Sequence, residues 1–151
     1  MRAKAKPAAK RRAPARPRGL VAVDPPALGK AVGYANGVLA PRAGRQLFVA
    51  GQIAWDAEHR IVGHGDVAAQ FAQALRNVLE VVRAAGGGPE HVAQLTVFVA
   101  DIAAYARARR AIGESWRAIM GRRYPAMALV EVKALLEPGA LVEIQGTAVV
   151  P

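Results

Sequence analysis

Glu143 is the side chain whose placement in this sequence best suits proton transfer. It belongs to an alternating run, Leu141 to Val150, in which Val142, Ile144, Ala148 and Val150 share one face and Glu143, Gln145 and Thr147 share the other. A carboxylate held half-buried in a cleft becomes a proton carrier. The same carboxylate at a subunit interface serves equally well as half of an ion pair, and both readings stand at this stage. Other chemistries lack their residues. The chain has no cysteine, which removes thiolate nucleophiles, disulfides and cysteine-bound zinc. His59 and His64 flank a turn without a third ligand at useful spacing, and His91 follows a loop, so they read as surface histidines and no metal site is expected. Gly86-Gly87-Gly88-Pro89 resembles a phosphate loop in composition. It follows a helical pattern, whereas a phosphate cradle precedes one, so it reads as a helix stop. Nothing arranges a Ser-His-Asp triad, and no cofactor is implied.

The elements that must position Glu143 follow from periodicity. Asp66 is a plausible N-cap, after which Val67, Phe71, Ala74, Leu75, Val78, Leu79 and Val82 recur at helical spacing until Gly86. Asp101 caps a second helix with the stripe Tyr105, Ala108, Ile112, Trp116 and Ile119, ended by Gly121. Trp116 therefore reads as core, while Trp55 is free to line a cleft. Strands are expected at Val38 to Ala40, Gln46 to Ile53, Val92 to Ala100, Ala126 to Val132 and Leu141 to Val150, with a short one in the turn region Trp55 to Val62. Pro41-Arg-Ala-Gly44 reads as the loop of a hairpin joining the first two. The order predicts an α+β fold in which two helices cover one face of a mixed sheet.

Charge divides the chain. The formal net charge is +10, but residues 1–18 carry eight of the 21 cations and no acid, leaving thirteen cations against 11 acids in the remainder. Pro7, Pro14 and Pro17 interrupt any helix in this tail. Residues 1–19 are expected to be a disordered basic extension, either solvated or loosely gripping nucleic acid or acidic partners, and 20–151 a single domain. The domain itself offers RNA little excess charge and few aromatics for base stacking. No apolar run is long enough for a membrane span and no secretory segment follows the basic start, so the expected location is the cytoplasm.

The faces of the last two strands suggest partners. In Ala126 to Val132 the small residues Ala126, Ala128, Val130 and Val132 alternate with Met127, Leu129 and Glu131. The small apolar set is expected to pack under the helices, leaving Met127 and Leu129 beside Glu143 on a mixed face. An exposed face of that kind is a liability that pairing with further subunits removes.

Six segments in order resemble the reactive intermediate deaminase (RidA, or YjgF) family from about Gly33 to Pro151. They are Gly33-Tyr34, Leu47-Phe-Val-Ala-Gly-Gln-Ile53, Gln70-Phe-Ala-Gln-Ala-Leu-Arg-Asn77, Thr96-Val-Phe-Val-Ala-Asp101, Tyr124-Pro-Ala-Met-Ala-Leu-Val-Glu-Val132 and Gly139-Ala-Leu-Val-Glu-Ile144. The resemblance implies a chorismate-mutase-like fold and a homotrimer whose sheets face inward as a barrel, with three small-molecule clefts between subunits. It implies hydrolysis of imines and enamines to keto acids and ammonia. It assigns Glu143 to handling water, Tyr34 to hydrogen bonding in the pocket, and Gly51 to the pocket wall, with Ala50 where a serine is common. Gln145 stands where another acid is frequent.

The family's carboxylate-binding arginine is absent. Its motif, Pro-Ala-Arg-Ser, reads Pro125-Ala126-Met127-Ala128 here. Leu129 takes a cysteine's position, and Arg109 that of an asparagine on the second helix. A guanidinium grips a carboxylate with two charge-assisted hydrogen bonds, and a thioether has no donor. Keto-acid imines should bind poorly unless Arg109, Arg110 or Arg45 reaches the pocket, and an apolar Met127–Leu129 wall favours a less polar ligand. Three functions follow: an enzyme of altered specificity, a metabolite-binding or regulatory trimer without turnover, and an RNA-directed role using the tail.

Overall fold

Both helices begin at an aspartate. The computed structural model describes residues 19–23, 25–26, 32, 34–35, 37–41 and 43–151, so the basic tail expected over 1–19 lies outside it except for Gly19. Helix α1, Val67–Ala84, starts where the Asp66 carboxylate accepts from the N–H groups of Ala68 (2.9 Å) and Ala69 (3.0 Å). These are donors that no helical carbonyl can reach. Ala85 caps its end, and Gly86 follows at φ 87°. That is the left-handed conformation in which glycine carries no Cβ penalty. The glycine run thus ends a helix, and a 3-10 turn over Pro89–His91 leads into the next strand. Helix α2, Ile102–Met120, is capped by Asp101, which accepts from Ala104 N–H at 2.8 Å, and it ends at Gly121 with φ 65°.

Four strands form the main sheet: β3 (Arg45–Gln52), β4 (Val92–Val99), β5 (Ala126–Glu131) and β6 (Val142–Val150). Their order is β3-β6-β4-β5, with β6 antiparallel to both neighbours and β4 parallel to β5. Strands β3 and β4 therefore run the same way with β6 inserted between them. The β3-α1-β4 and β4-α2-β5 connections both step in one direction across the sheet. Right-handed crossovers in one direction put both helices on the same face. Phe71, Leu75, Leu79, Leu95, Val97, Val142 and Ile144 are essentially inaccessible there, forming one core with Ile112, Trp116 and Met120. Trp116 is core, as its spacing predicted, and its indole N–H donates to Arg123 O at 3.1 Å.

Two expectations fail. The hairpin around Pro41-Arg-Ala-Gly44 does not form. Val38 lies in β2 (Gly37–Leu39), which pairs with β1 (Val21–Val23), a strand with no expectation attached to it, in a separate two-stranded sheet. Strand β3 pairs instead with β6. Proline and glycine fix a turn, not the pairing of what flanks it. Gly44, at φ 138°, leaves room for Val149, into which any Cβ at 44 would project.

The faces of β5 are also reversed from expectation. Met127 pairs with Leu95 and Leu129 with Val97, so both lie on the helix-bearing face and pack against the core. Ala126, Ala128 and Val130 pair with Gln94, Thr96 and Phe98 on the open face. Both sets of β5 side chains are apolar, so alternation separates the faces without saying which one is covered. The parallel register with β4 decides it.

Candidate functional site

The open face is read row by row from the register. Glu143 lies beside Phe98, which lies beside Val130; Gln145, Thr96 and Ala128 make the next row on this face, and Thr147, Gln94 and Ala126 the one after it, in unbroken register. Phe48 flanks Thr147 from β3 and is 73% exposed. A polar stripe thus runs between apolar margins, with no element of the described chain covering it.

Glu143 stands at one end of this face. The β3–β6 register slips between Val49 and Gln52, and the irregularity holds Ala50 and Gly51. Bulged residues of this kind re-aim neighbouring groups. The Glu143 carboxylate lies directly over Gly51, where a Cβ would overlap Oε1. Glycine at 51 is therefore a steric requirement of the carboxylate's position. Among the described residues, Glu143 makes no hydrogen bond or ion pair, and it is half-buried.

Amides of α1, one buried and two partly so, position the backbone on both sides of this end. Gln70, fully buried, donates to Gly139 O (2.9 Å) and Gly63 O (3.3 Å) and accepts from Leu141 N–H (2.8 Å). It fixes the turn that delivers Glu143. Asn77 donates to Ile53 O (2.9 Å) and Trp55 O (3.0 Å), and Gln73 donates to its oxygen (2.9 Å). These bonds hold the segment leaving Gly51. Gln70 and Asn77 bound a segment that carries the family resemblance, and neither had an expected role. The available signal was two amides seven residues apart on an otherwise apolar helical stripe, where an unpaired polar group is costly.

Tyr34 is at the other end. Ala35 N–H donates to Pro125 O at 3.0 Å and bridges to Ala126, extending the β5 edge. Tyr34, Gln94, Met127 and Ala128 line a cleft of about 340 Å³ there. Glu143 and Ala126 are four register rows apart, about 13 Å at the rise of a strand. Within one chain, Tyr34 and Glu143 do not meet. Met127 reaches the Tyr34 cleft at the sheet edge while packing on the core, and Leu129 packs beside Val97, so neither forms a wall facing Glu143. Arg109 is exposed on α2, on the other side of the sheet from Glu143. Its charge opposes the effect of burial on Tyr105, whose phenol is pushed above its ordinary value chiefly by desolvation. Arg45 donates to Pro151 O (3.0 Å) and Ala85 O (3.2 Å), and Arg110 to Glu114 (3.2 Å), so both are committed elsewhere.

The histidines are separate. His59, at φ 58°, packs at a tilt against Trp55 with ring centres 4.9 Å apart, and His91 Nδ1 accepts from Gly88 N–H at 2.9 Å. Among the described residues no three His, Cys, Asp or Glu side chains converge on a common point, and no helix is long and apolar enough to cross a membrane.

Comparison with known proteins gives a consistent set. A family described as Endoribonuclease L-PSP matches residues 26–150. The chain is 33% identical to the protein DfrA of Myxococcus xanthus, over 80% of this chain and 88% of that one. It is 31% identical to the 2-iminobutanoate/2-iminopropanoate deaminase of Homo sapiens, over 77% of this chain and 79% of that one. A solved structure of a protein of unknown function in the conserved Rid family, from Yersinia pestis, superposes with a TM-score of 0.78 at 32% identity. It covers 87% of this chain and 99% of the other.

Proposed function

The chain belongs to the RidA/YjgF family, and on that premise we propose that it works as a homotrimer that hydrolyses a small imine or enamine in clefts between subunits. The observation that carries this reading is the Glu143 carboxylate, set over Gly51 at the end of an uncovered sheet face with no partner among the described residues. The separation of Glu143 from Tyr34 supports clefts shared between copies, because a neighbour's Tyr34 would complete what one protomer leaves apart. The exposed Phe48 and Val130 support pairing of the open faces.

The chemistry needs few groups. Glu143 takes a proton from water as its oxygen adds to the imine carbon, forming a C–O bond and moving the C=N π pair onto nitrogen. That proton passes to the nitrogen to give a carbinolamine; Glu143 then takes the hydroxyl proton and hands it to the amine as the C–N bond breaks, so that ammonia leaves as the carbonyl forms and the carboxylate is regenerated. Tyr34 donates a hydrogen bond to the substrate, and the Gly51 backbone allows close approach. General-base assistance of this kind contributes typically 10²–10⁴-fold. Met127, standing where the resembling family has a guanidinium, supports a shifted specificity. It equally favours a second reading, in which the trimer binds a metabolite without turnover.

The deciding experiment is hydrolysis of 2-iminopropanoate by the wild-type chain, Met127→Arg and Glu143→Gln. Activity in wild type that falls at least 100-fold in Glu143→Gln is the expected result. Gain of activity in Met127→Arg alone indicates a scaffold turned to another ligand. Inactivity of all three against imines overturns the hydrolytic reading.

A further inference from the structure

The hollow behind Tyr34 is lined by charges that the Glu143 reading does not use. It has a volume of about 300 Å³, and its wall includes Arg122, Arg123, Glu90, Tyr34 and Tyr124 over a floor of apolar residues. In that floor Ala35 is 4% and Val92 6% exposed, so the site is backed by the folded domain. The turn carrying the arginines is held in place. Arg123 donates its N–H to Met120 O at 3.3 Å and accepts the Trp116 indole N–H at 3.1 Å. Tyr124 stacks on Trp116 with ring centres 5.6 Å apart and planes 3° from parallel.

Three of the described guanidiniums have acidic partners: Arg60 with Asp56 and Glu58, Arg83 with Glu80, and Arg110 with Glu114. Among the described residues, neither Arg122 nor Arg123 makes a salt bridge. Two arginines and two tyrosines in the wall beside an apolar floor match an oxyanion head joined to a short apolar body. Glu90 leaves one excess positive charge, which suits one negative charge better than two. The volume lies at the lower limit for small-molecule pockets.

We infer that this hollow binds a small singly charged carboxylate, with Arg122 and Arg123 as its cations. The carboxylate-binding function missing at Met127 is then supplied from the turn before β5. The inference shares Tyr34 with the proposed cleft, but it concerns equilibrium binding and stands whether or not the chain hydrolyses imines.

The test is calorimetric titration of the full chain with butanoate, butanamide and inorganic phosphate, none of which reacts. Butanoate should bind at least tenfold more tightly than either of the others. The Arg122→Ala/Arg123→Ala double variant should lose at least tenfold in butanoate affinity, and Arg122→Lys/Arg123→Lys should fall between, with near-UV circular dichroism showing the fold unchanged. Glu90→Gln should narrow the gap between butanoate and phosphate. Wild-type affinity in the double alanine variant, the result that the basic tail alone would produce, overturns the site. Equal binding of butanamide overturns the carboxylate, and equal binding of phosphate overturns the preference for a single charge. Failure of hydrolysis with Arg-dependent butanoate binding sinks the catalytic reading and leaves this one standing.

Discussion

The two faces of the β3-β6-β4-β5 sheet are made by the same strands and have opposite characters. On the helix side Leu95, Val97, Val142, Ile144 and Ala148 have no accessible surface. On the other, one residue along each strand, stand Thr96, Phe98, Glu143, Gln145 and Thr147, with Phe48 largely accessible beside them. The covered face is closed by contacts that one chain supplies, so its substitutions act on folding. The open face lacks such contacts, so its substitutions act on assembly and chemistry. The sharpest way to break this contrast is Leu95→Ala. Truncating a buried leucine removes its transfer energy and leaves a cavity, and about 3 kcal/mol of unfolding free energy should be lost in urea denaturation. If Leu95→Ala costs no more than Thr96→Ala, the division between faces is wrong.

The next effect is smaller and tests whether the covered side also positions the open one. Gln70→Leu keeps the volume but removes two hydrogen bonds from the turn at Gly139 and Leu141 and a third from Gly63 O. Leaving those backbone groups unsatisfied should cost about 2 kcal/mol. It should also lower any Glu143-dependent rate, because the turn delivering that residue loses its anchor. A stable variant with unchanged turnover would mean that Gln70 positions nothing.

How far this division was legible in the sequence depends on the element. Helices α1 and α2 were readable because cap, stripe and stop agree: Asp66 with Gly86, and Asp101 with Gly121. The alternation of β6 assigned Ile144 inward and Glu143 outward. Strand β5 defeated the same logic, since Met127 and Leu129 are as apolar as Ala128 and Val130, and only pairing with β4 selects the covered set. The β1–β2 pairing was hidden because long-range partners leave no local mark on short strands. Within the candidate site, Glu143 came from the alternation of its strand, Gly51 came from resemblance, and the steric reason for Gly51 came from the structure. The distance between Glu143 and Tyr34 was not legible at all, because it is set by register across three strands.

A smaller effect on the protomer, with a larger one on assembly, is expected from Phe48→Ser. Its ring is exposed in the single chain, so unfolding free energy should change by less than about 0.5 kcal/mol. In the proposed trimer the same ring is buried against other copies. Sedimentation velocity at micromolar concentration should then show a shift from trimer to monomer. A monomeric wild type, or a trimer indifferent to this substitution, would break the link between the open face and assembly.

The smallest effect lies at the rim of the covered face and appears only in alkali. Tyr105 packs edge-on against Phe71, with ring centres 6.1 Å apart. Its pKa in the folded chain is raised above 10.0, mainly by burial and against the pull of Arg109. An unfolded tyrosine releases its proton near pH 10, while the folded one retains it to higher pH. Between those points the folded state binds more protons, so stability declines as pH rises. The contribution is whole below the unfolded pKa and is lost through the folded one. Tyr105→Phe keeps the ring and cannot ionise, so it should match wild type near pH 7 and lose less stability on going to pH 11. Arg109→Ala removes the opposing charge, raises the phenol's pKa further and should steepen the decline. Unfolding measured at several pH values separates the cases: equal alkaline slopes in wild type and Tyr105→Phe would show that the phenol ionises as freely in the folded chain as in the unfolded one, and that this rim belongs with the open face.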